Sequence, residues 1–287
     1  MTYCVGLLVD TGLVMLSDSR TNAGVDQINT FRKMATFQRP NERVLVLMSA
    51  GNLAITQAVV NLLHEDAGSG GYSGDARDAE VSGSIKDCGN AGVAKVSGHP
   101  KGSGDANGSE DAGDTRPPPK ILRASNMFNA ARVVGDALRE IHARDAEYLK
   151  EHGHDFNGTF ILGGQIRGEE PRLFHIYSAG NFIESSGDTP YFQIGESKYG
   201  KPIIDRVISR SSSLAQAAKC ALVSMDSTIR SNLTVGPPLD LAIVRRDEFR
   251  LATHISIDFD NEYFKMIRTR WGFALQEVFS QLPNPNW

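Results

Sequence analysis

Thr2 follows the initiator Met1. Removal of Met1, which a small following side chain permits, would leave one residue carrying both a hydroxyl and a free α-amine. An α-amine titrates at about pH 7.7–8.0, close enough to working pH to take the proton from its own hydroxyl as that hydroxyl attacks a carbonyl. Such a nucleophile needs no histidine base. A Met-Thr start is common, so the reading depends on what else the sequence supplies. Asp18 lies in SDSRTNAG and Lys33 in FRKM. An ammonium beside the Thr2 hydroxyl would lower the pKa of the amine through like-charge proximity, and an adjacent carboxylate would hold the lysine charged and in place. Gly51, in SAGNLA, stands at a strand-to-helix junction. A backbone N–H at that positive helix terminus would stabilise an oxyanion, and glycine permits close approach of a substrate.

Other chemistry is less well served. His64, His152, His154, His175 and His254 show no paired-ligand spacing, so neither a metal nor a cofactor is expected. Ser17-Asp18-Ser19 lacks the GxSxG elbow of a serine hydrolase. The cysteines, Cys4, Cys88 and Cys220, are odd in number and far apart, which excludes a zinc motif or a disulfide scaffold. Cys4 and Cys220 read as small buried hydrophobes, and GQIRGEEPR as a solvated hairpin turn.

The elements that must position these residues are legible from periodicity. Short apolar runs at 3–9 and 13–17 flank Asp10-Thr11-Gly12 as a hairpin, and 30–37 with 43–49 forms a second pair. Asn52 can cap a helix carrying Leu53, Ile55, Val59, Val60, Leu62 and Leu63 at helical spacing. Ser125 opens a long amphipathic helix through about Lys150. Strands follow at 158–165, 171–177, 181–184 and 190–194, then helices at 197–209 and 213–231, a hairpin at 239–246 and 249–257, and a last helix at 260–281. Apolar strands joined by tight turns need cover on both faces, which points to two antiparallel sheets packed together with helices outside.

The 287 residues carry 30 Lys+Arg against 34 Asp+Glu, a net charge of −4 without the basic excess that nucleic acid would require. No apolar run reaches the roughly 18 to 20 residues of a membrane span, and no signal peptide is visible, so a cytoplasmic protein without a membrane partner is expected. Residues 66–114 hold 12 of the 28 glycines and a net charge of −5. That stretch reads as a disordered insertion, extending to about residue 120, within one domain spanning 1–287.

The segments GLVMLSDSRTNAG, RKM and AGNLA, together with the N-terminal threonine, resemble the proteasome β-subunit family of N-terminal-nucleophile hydrolases. MTYCVGL, FILGGQI, IGESKYGKPI and MDSTIRSNLTVGPP are similar to its bacterial Anbu (ancestral β-subunit) branch, over residues 2–64 and 123–281. The resemblance implies an α+β fold, a four-layer αββα sandwich. It implies Thr2 as nucleophile, Asp18 and Lys33 as its activating pair, Arg20 as support for the loop and Gly51 in the oxyanion hole. Where the family adds a serine from a GSG turn, IGESKYG offers Glu196 or Ser197. Where it carries Asp and Ser near a helix end, SNLTVG offers Asn232 and Thr234, with Asp226 a turn or more earlier. The implied function is a threonine-type peptidase or amidohydrolase in a homo-oligomeric ring or open spiral, without a propeptide or a dedicated α-ring. A catalytically weak scaffold, or an amidase acting on a non-protein amide, are the alternatives.

Overall fold

The computed structural model describes residues 1–22, 28–65 and 118–287. The insertion expected from residue 66, with Cys88, lies outside them apart from its far border. There Lys120–Arg123 forms a 3-10 turn that buries Ile121 and Leu122.

In chain order the elements are β1 (Tyr3–Val9), β2 (Gly12–Asp18), β3 (Arg20–Asn22), β4 (Ile28–Thr30), β5 (Met34–Arg39), β6 (Arg43–Gly51), α1 (Leu53–His64) and α2 (Met127–Glu151). They continue with β7 (Gly158–Ile166), β8 (Arg172–Ile176), β9 (Phe182–Glu184), β10 (Tyr191–Gly195), α3 (Ser197–Val207), α4 (Leu214–Ser231), β11 (Leu239–Arg245), β12 (Leu251–Ile257) and α5 (Glu262–Gln281). Two five-stranded antiparallel sheets result, ordered β10-β1-β2-β11-β12 and β5-β6-β7-β8-β9, beside a small β3-β4 hairpin.

Alternation within each strand builds the layers. Tyr3, Val5, Leu7 and Val9 of β1 pack with Ala217, Ala221 and Met225 of α4, while Cys4 and Leu8 join the core between the sheets. On the second sheet Leu45, Leu47, Phe160 and Leu162 meet α1 and α2, while Val44, Val46, Met48 and Ile161 turn to the first sheet. Every residue of β1 and β2 is buried because these strands are covered on both faces. The arrangement is the four-layer αββα sandwich, of class α+β. Each fully buried Leu or Met of the middle layer contributes about 1.5–3 kcal/mol, which fixes one sheet against the other and hence the site where their strand ends meet.

Three details depart from the sequence reading. The strand expected over 30–37 is split: β4 ends at Thr30, β5 begins at Met34, and exposed Phe31 and Arg32 interrupt the alternation. Lys33, in that break, is 7% exposed. The long helix is capped by Asn126 rather than Ser125, since Asn126 accepts from the Asn129 amide at 2.7 Å. The GQIRGEEPR turn is not simply solvated. Gln165 is fully buried, donating to Glu169 O at 2.8 Å and Asp247 Oδ1 at 2.7 Å and accepting from Asp247 N at 2.8 Å. Glu169 Oε2 accepts from Met127 N at 2.9 Å at the start of α2.

Candidate active site

β1 is flanked by β10 and β2, so the residue preceding it emerges between two strand ends. Tyr3 pairs with Gly195 on one side and Cys4 with Ser17 on the other. Thr2 is thereby fixed between the end of β10 and Asp18, the last residue of β2. Asp18 Oδ1 accepts from Tyr3 N at 3.0 Å and from Lys33 Nζ at 2.7 Å, and Oδ2 accepts from Gly236 N at 3.4 Å. Lys33 Nζ also donates to Arg20 O at 2.7 Å. Burial raises the Asp18 carboxyl above the ordinary carboxylate range, opposed by Lys33 and by the Tyr3 and Gly236 amides. Arg20 supports this corner: Nη1 donates to Leu233 O at 2.7 Å, with the guanidinium against Gly236.

Gly51 ends β6 with φ +119°, and a Cβ there would stand 2.4 Å from Asn157 O. Only glycine fits that backbone. Asn52 then caps α1, its side chain accepting from Ala54 N at 2.9 Å, so the positive end of the helix begins beside Gly51. At the end of β10, Gly195 has φ +81° and a Cβ would lie 1.9 Å from Thr2 O. That close approach lets Glu196 N donate to Thr2 O at 2.8 Å.

These groups open onto a cleft of about 380 Å³. Thr2, Lys33 and Gly51 line it together with Met1, Gly195 and Glu196, and Thr21, Ser49, Ala50, Leu53, Thr56 and Asn157 complete its walls. Asp18 lies behind Lys33, with a fully buried side chain. Ser197 opens α3 and is not among the lining residues, whereas Glu196 is. Asn232 does not line the cleft either; its Oδ1 accepts from Thr234 N at 3.0 Å and Thr234 Oγ1 at 2.6 Å where α4 ends. Asp226 serves α5 instead, accepting from Arg268 Nε at 3.0 Å and Arg230 Nε at 3.2 Å. Sequence reasoning missed Asn157, which shapes the cleft through its backbone carbonyl and so leaves no side-chain signal.

Two of the histidines pack on aromatic rings: the His64 ring lies 4.5 Å from Phe37 and His175 lies 4.4 Å from Tyr177, burial lowering the pKa of both. Among the described residues no group of three or more His, Cys, Asp or Glu could hold a metal, and no helix is long and apolar enough to cross a membrane.

No protein-family model matches the sequence, and no curated protein does. Solved structures do. Anbu (ancestral β-subunit) from Yersinia bercovieri is 44% identical over 99% of each chain, with a TM-score of 0.76. The chain belongs to the Anbu family. An Anbu (Gly-1) mutant from Hyphomicrobium sp. strain MC1 is 42% identical over 100% of both chains, with a TM-score of 0.77. Anbu from Pseudomonas aeruginosa, solved as a helical assembly of the Anbu complex, is 40% identical over 99% of this chain and 98% of its own, with a TM-score of 0.77. The four layers are accordingly those of a proteasome-like N-terminal-nucleophile hydrolase.

Proposed function

We propose that this Anbu chain is a cytoplasmic threonine-type amidohydrolase that cleaves peptide or other amide bonds as one domain within a homo-oligomeric ring or open spiral. The observation that carries the reading is the convergence of Thr2, Lys33 and Gly51 on one cleft, with Lys33 bonded to Asp18. Once Met1 is gone, the α-amine of Thr2 takes the proton of its own hydroxyl as the oxygen attacks the substrate carbonyl. The Lys33 ammonium favours the alkoxide character that develops, and the backbone N–H at Gly51 stabilises the oxyanion. Collapse expels the amine, which leaves with the proton held by Thr2, and an ester remains on the Thr2 oxygen. Water, deprotonated by the same amine, then hydrolyses that ester and restores the hydroxyl.

Assembly is supported by similarity to the helical complex from Pseudomonas aeruginosa and by apolar side chains that the described residues leave uncovered. Phe273, Leu275, Val278 and Phe279 of α5 are each more than half exposed, a surface that a neighbouring copy would cover. The test of the chemistry is an electrophilic acyl probe followed by peptide mass spectrometry. Labelling of Thr2 that disappears in Thr2→Ala supports the reading; amide hydrolysis unaffected by Thr2→Ala overturns it.

A further inference from the structure

Two of the described residues that line the cleft carry charged side chains, Lys33 and Glu196. They reach it from opposite sides of Thr2, Lys33 from the β2 side where it pairs with Asp18, and Glu196 from the end of β10. The Glu196 side chain is 11% exposed, and its ion-pair partner Lys198 stands at 3.7 Å with its own side chain 69% exposed. Its backbone amide meanwhile holds Thr2 O at 2.8 Å. A carboxylate withdrawn from water is unfavourable without a close donor, and this one accepts no hydrogen bond from the described residues. Met1 lines the same cleft, so the amine that its removal frees opens into that space.

We propose that Glu196 is a positioning residue for the nucleophile, its carboxylate accepting a hydrogen bond from the freed α-ammonium of Thr2 and turning that group toward the Thr2 hydroxyl. The proposal rests on the reading of Thr2 given above and adds the group that orients its base. Around the amine, the Lys33 ammonium and the positive end of α1 act to lower its pKa, and the Glu196 carboxylate acts to raise it. The remaining charges nearby are engaged elsewhere: Asp18 by Lys33, the Arg20 guanidinium by Leu233 O, and Asp226 by Arg230 and Arg268. Lys198, 3.7 Å from Glu196 Oε2, is largely exposed, so water screens its charge. Glu196 thus balances Lys33, keeping the amine basic enough to accept the hydroxyl proton.

The test uses full-length protein beginning at Thr2, released from an N-terminal ubiquitin fusion, with trace acetic anhydride as the amine probe. The pH dependence of acetylation of the Thr2 amine, read by peptide mass spectrometry, gives the midpoint of its titration. Glu196→Gln should move that midpoint down by roughly one pH unit, and Glu196→Asp should keep it near the parent value. The acid limb of kcat/KM should shift to lower pH in the Gln variant, with KM little changed. An unmoved midpoint overturns the proposal. So does an effect confined to KM for substrates bearing an amine, which would assign Glu196 to substrate recognition. Should the Gln variant fail to fold, Glu196→Ala is read in the same way. Because acetylation requires no turnover, its outcome is separable from whether Thr2 is a nucleophile.

Discussion

Among the described residues the Lys33 ammonium donates to two oxygens, Asp18 Oδ1 and Arg20 O, and the first of these contacts is a buried ion pair. Removing its ammonium leaves the Asp18 carboxylate buried and unpaired, so Lys33→Ala should cost about 3–5 kcal/mol by chemical denaturation as well as abolishing hydrolysis. The double variant Asp18→Asn, Lys33→Met removes both charges and should regain most of the lost stability while staying inactive. A Lys33→Ala protein as stable as the parent would contradict the buried pair. Asp240 offers a second test of burial. Its Oδ2 has no hydrogen-bond partner among the described residues, and burial raises its carboxyl above the ordinary range, opposed by Arg32 and His254. The folded state therefore holds this proton more tightly, and stability present below the unfolded pKa is lost as pH rises through the folded value. Asp240→Asn should thus show a Tm gain over the parent that grows from pH 4 to pH 8; a pH-independent difference would refute it. The sequence led us to expect an ammonium held by a neighbouring carboxylate, and the structure brings Lys33 Nζ to 2.7 Å from Asp18 Oδ1. Glu196 and Ser197 had equal claims from sequence, and only the cleft separates them.

At the scale of elements, the hydrophobic periods located the long strands and the five α-helices of the described residues, α2 and α4 most plainly because their buried faces repeat over several turns. The β3-β4 hairpin was invisible: each strand is three residues long, too short for a period to register. That break matters, since it allows Lys33 to turn toward Asp18. The β7-β8 turn was misread for another reason. Its polarity suggested solvent, but Gln165 satisfies donors and acceptors on two turns at once, tying β7 of one sheet to the β11-β12 connection of the other. Gln165→Ala should cost about 1–3 kcal/mol, because it removes a fully buried side chain together with its hydrogen bonds to Glu169 O, Asp247 Oδ1 and Asp247 N. Glu169→Ala, which removes the acceptor at the start of α2 and a long 3.9 Å ion pair with Arg172, should cost about 1 kcal/mol. Urea denaturation of both variants decides this, and equal, negligible losses would restore the solvated-turn reading.

For the whole molecule, the αββα order was legible once strands with two buried faces were recognised, since such strands demand a layer on each side. Assembly was not legible in that way. The exposed Phe273 and Phe279 lie on a helix whose sequence is apolar on more than its core face, and no described residue covers the surplus. Phe273→Asp with Phe279→Asp should convert a large species into smaller ones by mass photometry at unchanged Tm; an unaltered size distribution would remove α5 from the interface. The central claim concerns Thr2 and is tested most directly by mass spectrometry of the N-terminus after exposure to an acylating probe. The account predicts a chain that begins at Thr2 and carries a single acyl group on that residue, absent in Thr2→Ala. A chain that retains Met1 and still hydrolyses amides, or one labelled at another residue, would contradict it.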